Sequence, residues 1–160
     1  MVNKFNHSTG DIIKIPLPEM YLEQIDKVKS YNPRNNTARN LYIEKGFYRT
    51  ETEYEGFDFR DLKSYIDHGI RKYDFRLYNE SDISIVTSWP GQSYAKHTDE
   101  MYVVHVPVIT NNKCYMYIGN HLYHLEYGYF YITNTRKEHS SFNLGNEPRI
   151  HILLSAKDHT

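Results

Sequence analysis

One cysteine, Cys114, is all the thiol the chain has. No internal disulfide can staple it, so the fold must rest on a packed core and hydrogen bonds, as suits a reducing compartment. With no Cys-His pair suggested locally, and with Tyr115 and Tyr117 as neighbours, Cys114 reads as a small buried hydrophobe in a strand. Charge of one sign is also scarce: 19 Lys and Arg against 20 Asp and Glu leave a formal net charge of -1. No run of five or six like charges occurs, so nothing in the sequence indicates nucleic acid as a partner. Long apolar runs are missing too. The longest stretch, Met101 to Ile109, is broken by His105, and the first residues lack a signal peptide's apolar core. The expectation is a soluble, cytoplasmic protein without a membrane partner. Repeats, low-complexity tracts and linkers are absent, and 160 residues suit one domain spanning the whole chain. Nothing marks an oligomeric state.

Aromatic residues are abundant. They make up 15% of the chain, 16 of them Tyr, which leans the composition towards strands. The first part, 1–72, is expected to be helical and supporting. Pro18 to Tyr31 carries Leu22, Ile25 and Val28 at helical spacing, with Pro18 suited to a first turn and Asn32-Pro33 as a stop. Asp58 to Ile70 presents Leu62, Tyr65 and Ile66 on one face, with Asp58 or Asp61 to cap it and Gly69 near its end. Asn32 to Asn40, rich in Asn and Arg, reads as a loop able to cover a site and select substrate. Leu41 to Glu55 has room for a strand or two.

From 73 to 160 the pattern changes to short β-branched and aromatic runs separated by turn residues, as in a sandwich or barrel. Eight strands are expected: Asp82 to Trp89, Ser93 to His97, Met101 to Ile109, Lys113 to Gly119, His121 to Leu125, Gly128 to Thr133, His139 to Asn143 and Arg149 to Ser155. Pro90-Gly91, Asn111-Asn112, Gly119-Asn120, Gly128 and Gly145-Asn146 supply the turn chemistry. Eight such strands suit a double-stranded β-helix, the cupin-like jelly-roll, giving a mainly β fold with helices packed alongside.

His97-Thr98-Asp99 falls at the end of one expected strand, where residues i and i+2 project to the same face. An imidazole and a carboxylate can thus reach one point, and His139, starting another strand, can add a second imidazole from across the barrel. Two His and one carboxylate form the facial set that leaves coordination sites open on iron(II). Ten residues beyond His139 stands Arg149. Its planar fork matches a carboxylate in charge and geometry, as the far end of 2-oxoglutarate requires. His121 and His124, three apart in one strand, fall on opposite faces and make no metal pair. His151 alternates with Arg149, as a core histidine or a substrate contact. His7, His68 and His159 read as solvated.

Trp89-Pro90-Gly91, His97-Thr98-Asp99, His105-Val106-Pro107, Gly128 leading into Tyr129 to Thr133, His139-Ser140-Ser141-Phe142-Asn143 and Arg149-Ile150-His151 together resemble the core of the aspartyl/asparaginyl β-hydroxylase family. The resemblance spans Asp82 to Ala156, and the order and spacing of its motifs are more specific than any one of them. It implies a double-stranded β-helix, iron(II), 2-oxoglutarate, O2 and hydroxylation of an unactivated C–H bond in an amino acid or an Asp-, Asn- or Pro-like peptide side chain. By position it makes His97, Asp99 and His139 the catalytic metal ligands, Arg149 the binder of the distal co-substrate carboxylate, and His105 an aid to co-substrate binding. Vertebrate protein-modifying members are similar but have glycine at the Asp99 position, whereas bacterial amino-acid hydroxylases resemble this chain in keeping the acid. Where many members have arginine, this chain has Val103, which removes one expected co-substrate contact. The rival is a cupin-like metal-binding isomerase or sensor domain without oxygen chemistry, since fold alone does not decide function.

Overall fold

The computed structural model describes Phe5 and residues 10–30, 47–49, 59–78 and 83–159. Among them, eleven strands form two sheets joined by antiparallel pairs. The larger contains β1 (Ile12–Pro16), β2 (Phe47–Arg49), β3 (Phe75–Leu77), β4 (Ser84–Ser88), β6 (Tyr102–Ile109), β9 (Tyr129–Thr133) and β11 (Arg149–Asp158). Its order is β1-β9-β6-β11-β4-β2, and β3 pairs with the far end of β11. The smaller sheet runs β5 (Ser93–His97), β10 (His139–Asn143), β7 (Cys114–Ile118) and β8 (His121–Tyr123). The two form a double-stranded β-helix, with helices packed alongside.

Alternation along the strands sets the two layers. On β6, Val104, Val106 and Val108 belong to the main core, whereas Val103 and His105 line an internal cavity on the opposite side. On β11, Ile152 and Leu154 join that core and Leu153 the cavity. The helix α2 (Arg60–Arg71) contributes Leu62, Ile66 and Ile70, all fully buried, at a spacing of four. That spacing puts them on one stripe against the sheet. Gly69 lies on the sheet side of the helix: a Cβ there would meet the Phe130 ring at 3.4 Å, an ordinary van der Waals contact. The small sheet turns Cys114, Met116 and Ile118 inward.

All eight strands expected from the sequence are present. β11 extends to Asp158 because Ala156, Lys157 and Asp158 pair with β3. The expected division at residue 73 is crossed by β1 and β2, which enter the larger sheet. The first helix is shorter than its periodicity suggests: α1 covers Glu19–Asp26 and tightens into a 3-10 turn over Lys27–Ser30. The start of α2 is not capped by Asp61. Phe59 occupies the cap position without a side-chain bond, and Asp61 lies in the first turn, where its charge complements the helix dipole. The expected loop at Asn32 to Asn40, Asp58 and His7 lie outside the described residues.

Candidate metal centre

His97 ends β5 and His139 begins β10, and these two residues face each other directly in the antiparallel register. The ring centroids are 4.3 Å apart. Asp99 does not belong to the strand, which ends at His97, so alternation alone does not position it. Instead its backbone N–H donates to the Thr135 carbonyl at 2.9 Å. This bond extends the pairing past the strand end and turns the carboxylate onto the histidines. Asp99 Oδ2 lies 3.2 Å from His139 Nε2, and Asp99 Oδ1 lies 3.7 Å from His97 Nε2. One ligand atom from each of the three residues falls within 4.8 Å of the others.

The outer nitrogens decide whether this donor set fits a metal. His97 Nδ1 is 2.9 Å from the Ala95 carbonyl, and His139 Nδ1 is 2.9 Å from the Lys137 carbonyl. A carbonyl only accepts, so each ring donates through Nδ1, and in its neutral form Nε2 is the ligating nitrogen, with its lone pair on the Asp99 side. Two such nitrogens and one carboxylate fit a divalent first-row ion with open positions. Protonation adds an N–H at His139 Nε2 that donates to Asp99; burial disfavours this charged form, but that hydrogen bond and the Lys137 carbonyl outweigh it and raise the pKa above 6.5. Positive charge is therefore welcome at this point.

The three groups open into a cavity of about 290 Å3, whose lining also includes Ser84, Val86, Val103, His105, Met116, Arg149 and Leu153. Arg149 starts β11 opposite Ser88 of β4 and is only 5% exposed. The structure thus brings together all five site residues expected from the sequence, with Val103 supplying an apolar wall. His151 lies behind the cavity wall, 2% exposed, with Nδ1 3.1 Å from His105 Nδ1. Burial, with the nearby charges of Arg149 and His139, lowers the His105 pKa to about 3, so this ring is neutral in ordinary buffers. His121 and His124 diverge: His121 Nδ1 meets Asp11 and His124 Nδ1 meets the Cys114 carbonyl. Cys114 is buried, its thiol donating to Asn143 Oδ1 at 3.3 Å.

The loop that holds the ligands leaves no pattern in the sequence. The fully buried Asp11 carboxylate receives Lys137 Nζ at 2.7 Å and the Tyr123 hydroxyl at 2.6 Å, while its carbonyl accepts the Asn134 N–H. The same loop carries the Thr135 and Lys137 carbonyls that fix Asp99 and His139. No sequence spacing flags this link, because Asp11 and Lys137 are 126 positions apart. Burial pushes the Asp11 carboxyl up, but hydrogen bonds from Lys137 and Tyr123 and the charges of Lys137 and His121 prevail, holding it below its ordinary 3.8. A depressed carboxyl stabilises the fold above its unfolded pKa and loses that contribution as pH falls through the folded value. Asp11→Asn should therefore cost about 1–3 kcal/mol near neutral pH, and the deficit should shrink as pH drops below about 4. Denaturant unfolding at several pH values checks this; a deficit that does not change with pH would count against it.

Residues 70–158, more than half of the chain, match the family model described as Aspartyl/Asparaginyl beta-hydroxylase. No curated protein sequence matches. Among solved structures, the chain is similar to the viral collagen prolyl hydroxylase vCPH from Paramecium Bursaria Chlorella virus-1, in its 2OG complex, with a TM-score of 0.60 and 13% identity over 91% of this chain and 94% of that one. A Pseudomonas putida prolyl-4-hydroxylase gives a TM-score of 0.63 and 10% identity over 94% of both chains. AerE from Microcystis aeruginosa is 22% identical with a TM-score of 0.42, the match covering 49% of this chain and 36% of that one. This chain therefore spans about a third of AerE's length. At these identities the full-length likenesses establish a shared fold. No helix among the described residues is long and apolar enough to cross a membrane.

Proposed function

The chain belongs to the aspartyl/asparaginyl β-hydroxylase family, and from that premise we propose that it is an iron(II)- and 2-oxoglutarate-dependent dioxygenase. Its substrate is an amino acid or an Asp-, Asn- or Pro-like side chain of a peptide. One observation carries the reading: the His97, Asp99 and His139 donors and the Arg149 side chain line the same cavity. A metal-only isomerase or sensor needs the first group but does not require a carboxylate clamp beside it.

His97, Asp99 and His139 would hold the metal. Iron(II), with 2-oxoglutarate and O2, would supply the oxidising chemistry that yields succinate, carbon dioxide and a hydroxylated C–H position. The protein's work is orientation and exclusion of water. Backbone carbonyls of Ala95 and Lys137 keep both imidazoles in the ligating tautomer. Arg149 receives the distal carboxylate of the co-substrate, a pairing strengthened by its near-complete burial. Val86, Val103, Met116 and Leu153 give the cavity apolar walls that limit water around the reacting atoms.

Incubation of the purified chain with iron(II), 2-oxoglutarate and air, with and without panels of free amino acids and peptides, tests the reading. Succinate should form in proportion to 2-oxoglutarate consumed, and one class of substrate should accelerate it. Metal binding without succinate under every condition would favour the metal-only alternative.

A further inference from the structure

The contact between His105 and His151 restricts how the cavity can bond its ligand. The two Nδ1 atoms are 3.1 Å apart and the rings are nearly perpendicular, at 87°. Both rings are buried, and burial together with the Arg149 charge keeps both neutral. Two neutral imidazoles meeting through Nδ1 can share only one proton there, so one donates and the other accepts. Each choice fixes the opposite nitrogen of both rings. If His105 donates, its Nε2 is a bare acceptor and His151 must carry a proton on its own Nε2. If His151 donates, His105 carries the proton on Nε2 and His151 Nε2 is bare.

His151 Nε2 selects between them. It is buried without a hydrogen-bond partner, and a buried N–H without an acceptor is rarer and more costly than an acceptor without a donor. The void beside His151 is about 10 Å3 and shares its lining with Arg149, which places it at the lower limit for one water. The rarity of an orphaned buried N–H puts the shared proton on His151 Nδ1 and leaves its Nε2 bare. His105, which lines the cavity, then has a protonated Nε2 as the ring nitrogen left for a ligand.

We propose that His151 is a positioning residue that locks His105 as its Nε2–H tautomer, so that the cavity offers a neutral donor beside Arg149 to a carboxylate oxygen of 2-oxoglutarate. This rests on the co-substrate reading above. It gives a cavity that lacks an arginine at Val103 a second donor suited to an anion, without burying another charge.

Nitrogen-15 NMR of the ring nitrogens in the full chain, with no metal added, reads the tautomers directly. His105 should show a bare Nδ1 and a protonated Nε2, and His151 the reverse. The opposite pattern, or exchange between the two, would overturn the proposal. In turnover, His151→Leu removes the shared donor, whereas His151→Asn retains an amide N–H near the same place. His151→Leu should raise the 2-oxoglutarate KM on the order of tenfold while kcat at saturation stays close to the parent, and His151→Asn should recover most of the loss. Equal KM values across the three proteins, or a loss confined to kcat, would also overturn it. The ring-nitrogen spectra involve neither iron nor turnover, so they decide the tautomer even for a chain that produces no succinate, an outcome that would instead sink the oxygenase reading.

Discussion

His139→Ala should abolish stable iron(II) binding and lower 2-oxoglutarate turnover on the order of a hundredfold or more, since loss of even an outer-sphere partner costs ten- to a hundredfold. Of the two imidazoles, His139 is the more buried, its side chain 7% exposed against 49% for His97. It also makes the shorter approach to Asp99. Its removal leaves Asp99 facing a single, solvent-accessible imidazole. Metal titration by calorimetry, beside a thermal melt to show that the variant folds, measures the effect. A folded His139→Ala protein with parental iron affinity would remove His139 from the ligand set and take the proposed site with it.

Arg149→Lys should raise the 2-oxoglutarate KM roughly ten- to hundredfold while leaving iron affinity close to the parent. Charge is retained, but the rigid fork that can pair both oxygens of a carboxylate is replaced by one compact ammonium on a flexible stem. Arg149 starts β11 in register with Ser88, and that backbone pairing does not depend on the side chain. The strand, and with it the metal cluster, should therefore persist. Co-substrate titrations at fixed iron separate the two properties. An unchanged KM would mean that the co-substrate carboxylate sits elsewhere, while iron affinity falling in parallel would mean that Arg149 supports the ligands.

The β-helix was legible because its strands announce themselves twice, by β-branched and aromatic alternation and by the turns between them. Gly91 shows the second signal at work: it adopts φ +82° and donates its N–H to the Asn143 carbonyl, so the Pro90-Gly91 pair starts β5 in the register that carries His97 to His139. The metal residues were legible for a related reason, since their spacing is tied to strand ends. Other features depend on partners remote in sequence. β1 reads as a short amphipathic run, and only the edge of β9 makes it a strand of the larger sheet. β3 has three residues, too few for alternation to be distinctive, and depends on the end of β11. The carbonyls that orient the imidazoles belong to the backbone at Ala95 and Lys137, where any side chain would provide them. His151 stayed ambiguous because alternation places it inside but cannot say that His105 waits there.

β11 comes last of the eleven strands in chain order, yet it lies between β6 and β4 in the finished sheet. Until it inserts, β6 and β4 each expose an unpaired edge, and the larger sheet exists as two paired pieces, β1-β9-β6 and β4-β2, with β3 lacking its strand partner. Pairings this distant in sequence close slowly, because much of the chain must be ordered before any of them rewards the loss of entropy. Refolding should therefore pass through a rate-limiting insertion, with the open edges vulnerable to pairing between molecules. Arg149 belongs to β11, so the cavity gains its buried cation in the same event that seals the sheet.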